Sequence, residues 1–149
     1  MQNLIQYVLI LSIIVAGATA SYSQDERYQY VIEESFYVVK PENKEKFLEI
    51  YREKLMPFWT EMQNRGIIVG EYKLYAQRLH TLKPHWTYKT VVVFPNYAAL
   101  DEWLRLRDQV YDSLFPGEGG YKAPRKQIDA ISESESHWDE FIREIPLKN

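Results

Sequence analysis

From Glu42 to about Asn64 the positions Phe47, Ile50, Tyr51, Leu55, Phe58 and Met62 recur three and four residues apart, and this one apolar stripe constrains the fold more than any other feature. A helix with a single apolar face must bury it against another layer. The flanking runs supply that layer. Gln29 to Val39 is rich in Val, Ile, Tyr and Phe, and so are Ile67 to Arg78 and Trp86 to Phe94, which predicts three strands. Lys40-Pro41 ends the first strand, Arg65-Gly66 ends the helix, and Pro57 inside the stripe is expected to kink or split it. The stretch Leu79 to His85, with Pro84, joins the second and third strands as a hairpin.

Pro95-Asn96 opens a second helix, with Asn96 as its N-cap and Leu100, Trp103, Leu106 and Val110 at helical spacing. Asp101 and Arg105 stand four apart on its exposed side as a candidate ion pair. After Pro116-Gly117-Glu118-Gly119-Gly120 the chain reads as a loop up to Lys126, then as a short helix and a final strand. The order strand, helix, strand, strand, helix, late strand is the split βαβ arrangement of the ferredoxin-like fold, an α+β class with an antiparallel sheet.

The first twenty residues carry no charged side chain, and Leu4 to Gly17 is an apolar run of signal-peptide length followed by the small-x-small site Ala18-Thr19-Ala20. The expected organisation is a signal peptide over 1–20, a short mature start over 21–27, an α+β domain over 28–112 and a C-terminal extension over 113–149 that supplies the last strand. The expected location is secreted or periplasmic, without a membrane span in the mature chain; an uncleaved anchor is the lesser alternative, because Met1-Gln2-Asn3 carries no Lys or Arg. The chain has no Cys, so it contains neither disulfides nor thiolate chemistry. Its net charge of −3 lacks the basic excess that gathers phosphates, and no nucleic-acid partner is expected.

Val39-Lys40-Pro41-Glu42-Asn43-Lys44-Glu45-Lys46-Phe47, then Pro57, Gly66 and the passage Phe94-Pro95-Asn96-Tyr97-Ala98-Ala99-Leu100 resemble the dimeric α+β-barrel superfamily, which includes NIPSNAP-like and antibiotic-biosynthesis-monooxygenase-like domains. The resemblance implies a homodimer of facing sheets and a ligand pocket between a sheet and its own helices. It leaves the activity open among cofactor-free oxygenases, haem-degrading enzymes, isomerases and proteins without assigned roles. The haem-degrading members use a histidine on the second helix, and residues 96–114 contain none. No cofactor is expected.

Alternation along the strands places Ile32, Glu34, Phe36 and Val38 with Tyr72, Leu74, Trp86, Tyr88, Thr90, Val92 and Phe94 on the more apolar, helix-facing side. Glu34 is then a buried carboxyl and a candidate general base, with Tyr72, Trp86 and Tyr88 around a small apolar or aromatic ligand. A one-residue bulge exchanges Glu34 for Glu33 on that face, and a Glu34 that reaches water near the strand end or sits on the exposed face has no role; these readings stand side by side. His137, flanked by Glu133, Glu135 and Asp139, becomes a second candidate if the C-terminal segment folds over the pocket. His80 and His85 share one loop without an acidic partner and read as surface histidines; no metal site is expected. Tyr121 to Lys126 reads as a solvated basic loop. Two functions fit this sequence: a small-molecule-binding protein with cofactor-independent oxygenase or isomerase activity, or a non-enzymatic structural or interaction protein of the cell envelope.

Overall fold

The structure is a computed structural model that describes residues 30–78 and 86–145. The expected signal peptide and mature start, and the hairpin loop with His80 and His85, lie outside the described residues. Strand β1 runs over Val31–Val39 and ends where Lys40 stays extended ahead of Pro41, which opens a 3-10 turn at Pro41–Asn43. The apolar stripe then forms α1 (Lys44–Ile50), a π turn (Tyr51–Leu55) and α2 (Met56–Asn64). Helical torsions persist at both junctions, so the course is continuous rather than split. Pro57 has no N–H to give and its ring crowds the carbonyl one turn earlier. The wide turn just before it, in which the Met56 N–H reaches the Tyr51 carbonyl, absorbs that crowding.

All six stripe residues are buried. Gly66 takes φ 72° at the end of α2, a conformation other residues resist. Strand β2 (Lys73–Ala76) is shorter than the expected run because Gly70 bends the chain at φ 68°, while Ile67 and Ile68 enter the core instead. Strand β3 spans Tyr88–Phe94 and leads to α3 (Tyr97–Leu114), whose Asn96 cap accepts the Ala99 N–H at 2.9 Å as expected. Arg105 pairs with Glu102, one turn back, and not with Asp101.

The expected loop up to Lys126 is corrected by α4 (Lys122–Ile131). Pro124 lies in its first turn, where a missing N–H leaves no bond unmade. Strand β4 (Ser132–Ile142) follows directly. The four strands form an antiparallel sheet in the order β2-β3-β1-β4, with α1, α2, α3 and α4 contributing to the hydrophobic core. Along β4 the register with β1 is regular from Ile142 to His137, then breaks: between the pairs Tyr37–His137 and Val39–Ser132, β1 advances two residues and β4 five.

The face of β1 is the main correction. Val31, Tyr37 and Val39 enter the helix-side core, and Glu33 and Ser35 share their side, opposite Phe94, Val92, Thr90 and Tyr88 of β3. Glu34 and Phe36 point the other way. Apolar content could not decide this, since the other face also carries Ile32, Phe36, Val38, Val91 and Val93. On that face Phe36 stacks on Trp138 at 4.8 Å and meets the edge of Trp86 at 6.1 Å. Trp86 therefore departs from the expected helix side. It precedes β3, and the bend at Thr87 interrupts the alternation.

Candidate functional site

A polar cluster occupies the helix side of β1 and β4. Glu33 is buried, and its Oε2 has no partner among the described residues. Burial, reinforced by the charge on Asp139, pushes its carboxyl up to about 7 against the opposing pull of Arg125 and Arg107. One register step along, Ser35 pairs across the strands with Asp139 and Tyr37 with His137. Burial would discourage charge on Asp139, yet hydrogen bonds from His137 and Ser35 hold its carboxyl below the ordinary value. Burial also raises the Tyr37 phenol to about 12, even though it hydrogen-bonds Thr90.

His137 is fixed by its backbone neighbour. Its Nδ1 lies 3.0 Å from the Phe36 carbonyl, which only accepts, so Nδ1 carries a proton and donates. Its Nε2 is within hydrogen-bond reach of the Arg125 guanidinium and 3.1 Å from Asp139 Oδ1. Without a proton Nε2 accepts from Arg125; with one it donates to Asp139.

Helix α4 brings Arg125 to this point and Ile128 to the core one turn on, while Tyr121 just ahead of it is buried. Burial raises the Tyr121 phenol well above its ordinary value, and its electrostatic neighbours include Tyr37, Arg125, Glu33 and Tyr51. From α3, Trp103 packs 6.0 Å from the Tyr121 ring, with the Arg107 guanidinium 5.2 Å from its own. The Trp103 Nε1–H and the Tyr51 hydroxyl are buried without partners among the described residues. Two donors and one acceptor thus stand unsatisfied in an interior built mainly of aromatic and aliphatic side chains. Such groups are uncommon in native interiors because each costs about 1–3 kcal/mol.

Of the expected site residues, only His137 reaches this cluster. Glu34 lies on the far face, its Oε1 2.7 Å from Lys89 Nζ. Tyr88 is a core residue stacked on Phe47 at 4.5 Å. Trp86 borders a small recess of about 180 Å³ with Val38 and Thr87. Tyr72 borders a groove of about 560 Å³ between the α1–α2 course and β2. Sequence reasoning did not single out Arg125, Tyr37, Tyr51, Trp103 or Tyr121. The spacing of Tyr121, Pro124, Ile128 and Ile131, at three and four residues, was the signal for α4, and Pro124 masked it.

No protein-family model matches the chain, and no curated protein matches it. Solved structures do. A dimeric ferredoxin-like protein from an uncultured marine organism superposes with a TM-score of 0.55 over 85% of this chain and 98% of its own, at 8% identity. The fold is ferredoxin-like. A NIPSNAP family protein from Agrobacterium tumefaciens gives a TM-score of 0.52 at 12% identity, covering 81% of this chain and 90% of its own. An antibiotic biosynthesis monooxygenase gives 0.50 at 16% identity, over 78% and 99%. What these ferredoxin-like proteins share with the chain is architecture. In this chain, that architecture sets Glu33, Arg125, His137 and Asp139 between sheet and helices.

Proposed function

We propose that the protein binds a small apolar or aromatic molecule between its sheet and helices and acts on it through Glu33 as an acid–base group, without a cofactor. The observation that carries this reading is the Glu33 carboxyl itself, buried, unpartnered at Oε2 and raised to about 7. An acid of that strength is poised to exchange protons near neutral pH. Taking a proton from a weakly acidic C–H and returning it elsewhere on the molecule is an isomerisation. A carbanion formed at a CH2 carbon instead gives an electron to dioxygen and combines with the resulting superoxide as a hydroperoxide, which loses water to leave a carbonyl, dioxygen being the oxidant. Arg125 and the Trp103 and Tyr51 donors suit the stabilisation of developing negative charge. The test is deuterium incorporation into a neutral carbon acid, β-tetralone, in heavy water. Exchange above the buffer rate that Glu33→Gln removes supports the reading. Equal exchange by the folded variant takes Glu33 out of it.

Two further parts of the reading have separate support. A second copy covering the sheet face of Phe36, Trp138, Val91 and Val93 would make a homodimer, as in the neighbour described as a dimeric ferredoxin-like protein. Sedimentation at micromolar concentration decides it, a strict monomer counting against it. Export is supported by the apolar run Leu4 to Gly17 and the Ala18-Thr19-Ala20 site. Recovery of the protein outside the cytoplasm with Ser21 at its amino terminus is the expected result.

A further inference from the structure

The groove beside β2 has a composition of its own. Leu48, Arg52, Met56, Thr60 and Gln63 stand in one row along the helical course, and Glu71 and Tyr72 from the chain leading into β2, with Leu74 of β2 itself, line the other side. Gln63 donates to the Gly70 carbonyl at 2.8 Å, which ties the two walls together. The volume of about 560 Å³ is in the range that takes a whole small molecule. Its one cationic and one anionic lining residue, Arg52 and Glu71, oppose each other in sign, so the rim favours neither an acid nor a base.

Within the groove the Tyr72 hydroxyl is a neutral donor that is only loosely engaged. Its contact with Thr60 Oγ1 is 3.4 Å, beyond the usual range for paired hydroxyls, and Thr60 Oγ1 already donates to the Met56 carbonyl at 2.9 Å. A better acceptor would displace that contact. The wall toward the interior is Tyr51, whose ring lines the groove and whose phenol has Tyr37 and Tyr72 as its electrostatic neighbours. The π turn that carries Tyr51 thus stands between the groove and the Glu33 cluster.

We infer that the groove binds a neutral, flat apolar molecule with one hydrogen-bond acceptor, such as an aromatic ketone, its body on Leu48, Met56 and Leu74 and its oxygen on the Tyr72 hydroxyl. This goes beyond the proposed function and does not rest on it: none of Glu33, Arg125, His137 and Asp139 lines the groove, and the inference concerns the groove's own occupant.

The probe is prodan, a fluorescent neutral naphthyl ketone, titrated into the purified protein. Saturable binding with a blue-shifted emission is expected. Tyr72→Phe should weaken it about tenfold, the worth of one hydrogen bond, while leaving displacement by ethylnaphthalene, which has no acceptor, unchanged. Leu74→Trp fills the groove and should abolish binding; Met56→Trp, at a half-exposed helix position, does the same if the strand variant fails to fold. No saturable binding, or affinity unchanged in Tyr72→Phe and in the folded tryptophan variants, overturns the inference. Anilinonaphthalene sulfonate binding the groove as tightly as prodan overturns the neutral class. Glu33→Gln should bind prodan normally. Lost prodan binding with intact Glu33-dependent exchange sinks the groove alone, and the converse sinks the Glu33 reading alone.

Discussion

Glu34 Oε1 and Lys89 Nζ meet at 2.7 Å on the sheet face turned away from the helices, one residue along from the carboxyl that faces inward. The Lys89 ammonium also lies 5.6 Å from the Phe36 ring and 5.5 Å from Tyr75. Two adjacent glutamates therefore differ in environment: one has a cation of its own, the other an orphaned oxygen.

Glu34→Gln should cost about 1–2 kcal/mol, because it leaves a mostly buried ammonium without its counter-charge. Exchange on β-tetralone should be unaffected. In a double-mutant cycle with Lys89→Met, measured by urea unfolding, the two losses should be less than additive.

Glu33 should make stability fall as pH rises. Its folded-state value of about 7 exceeds the ordinary 4.5, so between these values the unfolded chain releases a proton that the native chain keeps. The contribution is fully present below about pH 4.5 and is lost as pH rises to about 7, a difference of about 3 kcal/mol. Glu33→Gln should abolish this part of the pH dependence and be the more stable protein at pH 8, read from urea midpoints at the two ends of the window.

Arg125→Met keeps an unbranched stem and removes the cation that faces Glu33, Asp139 and His137. Two carboxyls lose their counter-charge at once. A loss of about 3 kcal/mol at pH 8 is expected. The Glu33 titration, followed by carbon NMR of its carboxyl, should move upward; a midpoint that stays in place or falls contradicts the electrostatic account of the cluster.

Gly120→Ala should destabilise by about 1–3 kcal/mol. The position has φ 79°, and an added Cβ would lie 2.7 Å from Asp108 Oδ1, the same oxygen that accepts the Tyr121 N–H at 3.0 Å. The strain falls on the turn that aims Tyr121 and α4 at the cluster, so prodan and exchange assays on this variant should be made well below its unfolding midpoint.

Much of the architecture is legible in the residues. The stripe from Phe47 to Met62 has one consistent period, Asn96 is a strong cap, and the strands are rich in branched and aromatic side chains. The side of β1 is not legible, because apolar residues occupy both alternating sets and glutamate occupies adjacent positions in each. Nor is α4, where Pro124 resembles a breaker until it is known to sit in a first turn. The cluster was half legible at best. His137 could be singled out by its acidic neighbours, but its partner Arg125 comes from a segment whose charges alone suggest a solvated loop.

The pairing of β1 with β4 also has a bearing on when the cluster comes into being. Phe36 and His137, joined by a hydrogen bond, are 101 positions apart in sequence, and Asn43 reaches the Ile131 carbonyl across 88. Contacts that close such long loops form late and slow the search for the native state. Until the last strand docks, Glu33 and Arg125 lack Asp139 and His137, so the polar cluster is completed only with the sheet. A chain cut short before Ser132 would keep the apolar stripe, three strands and Arg125, and would lose the His137 and Asp139 that complete the cluster.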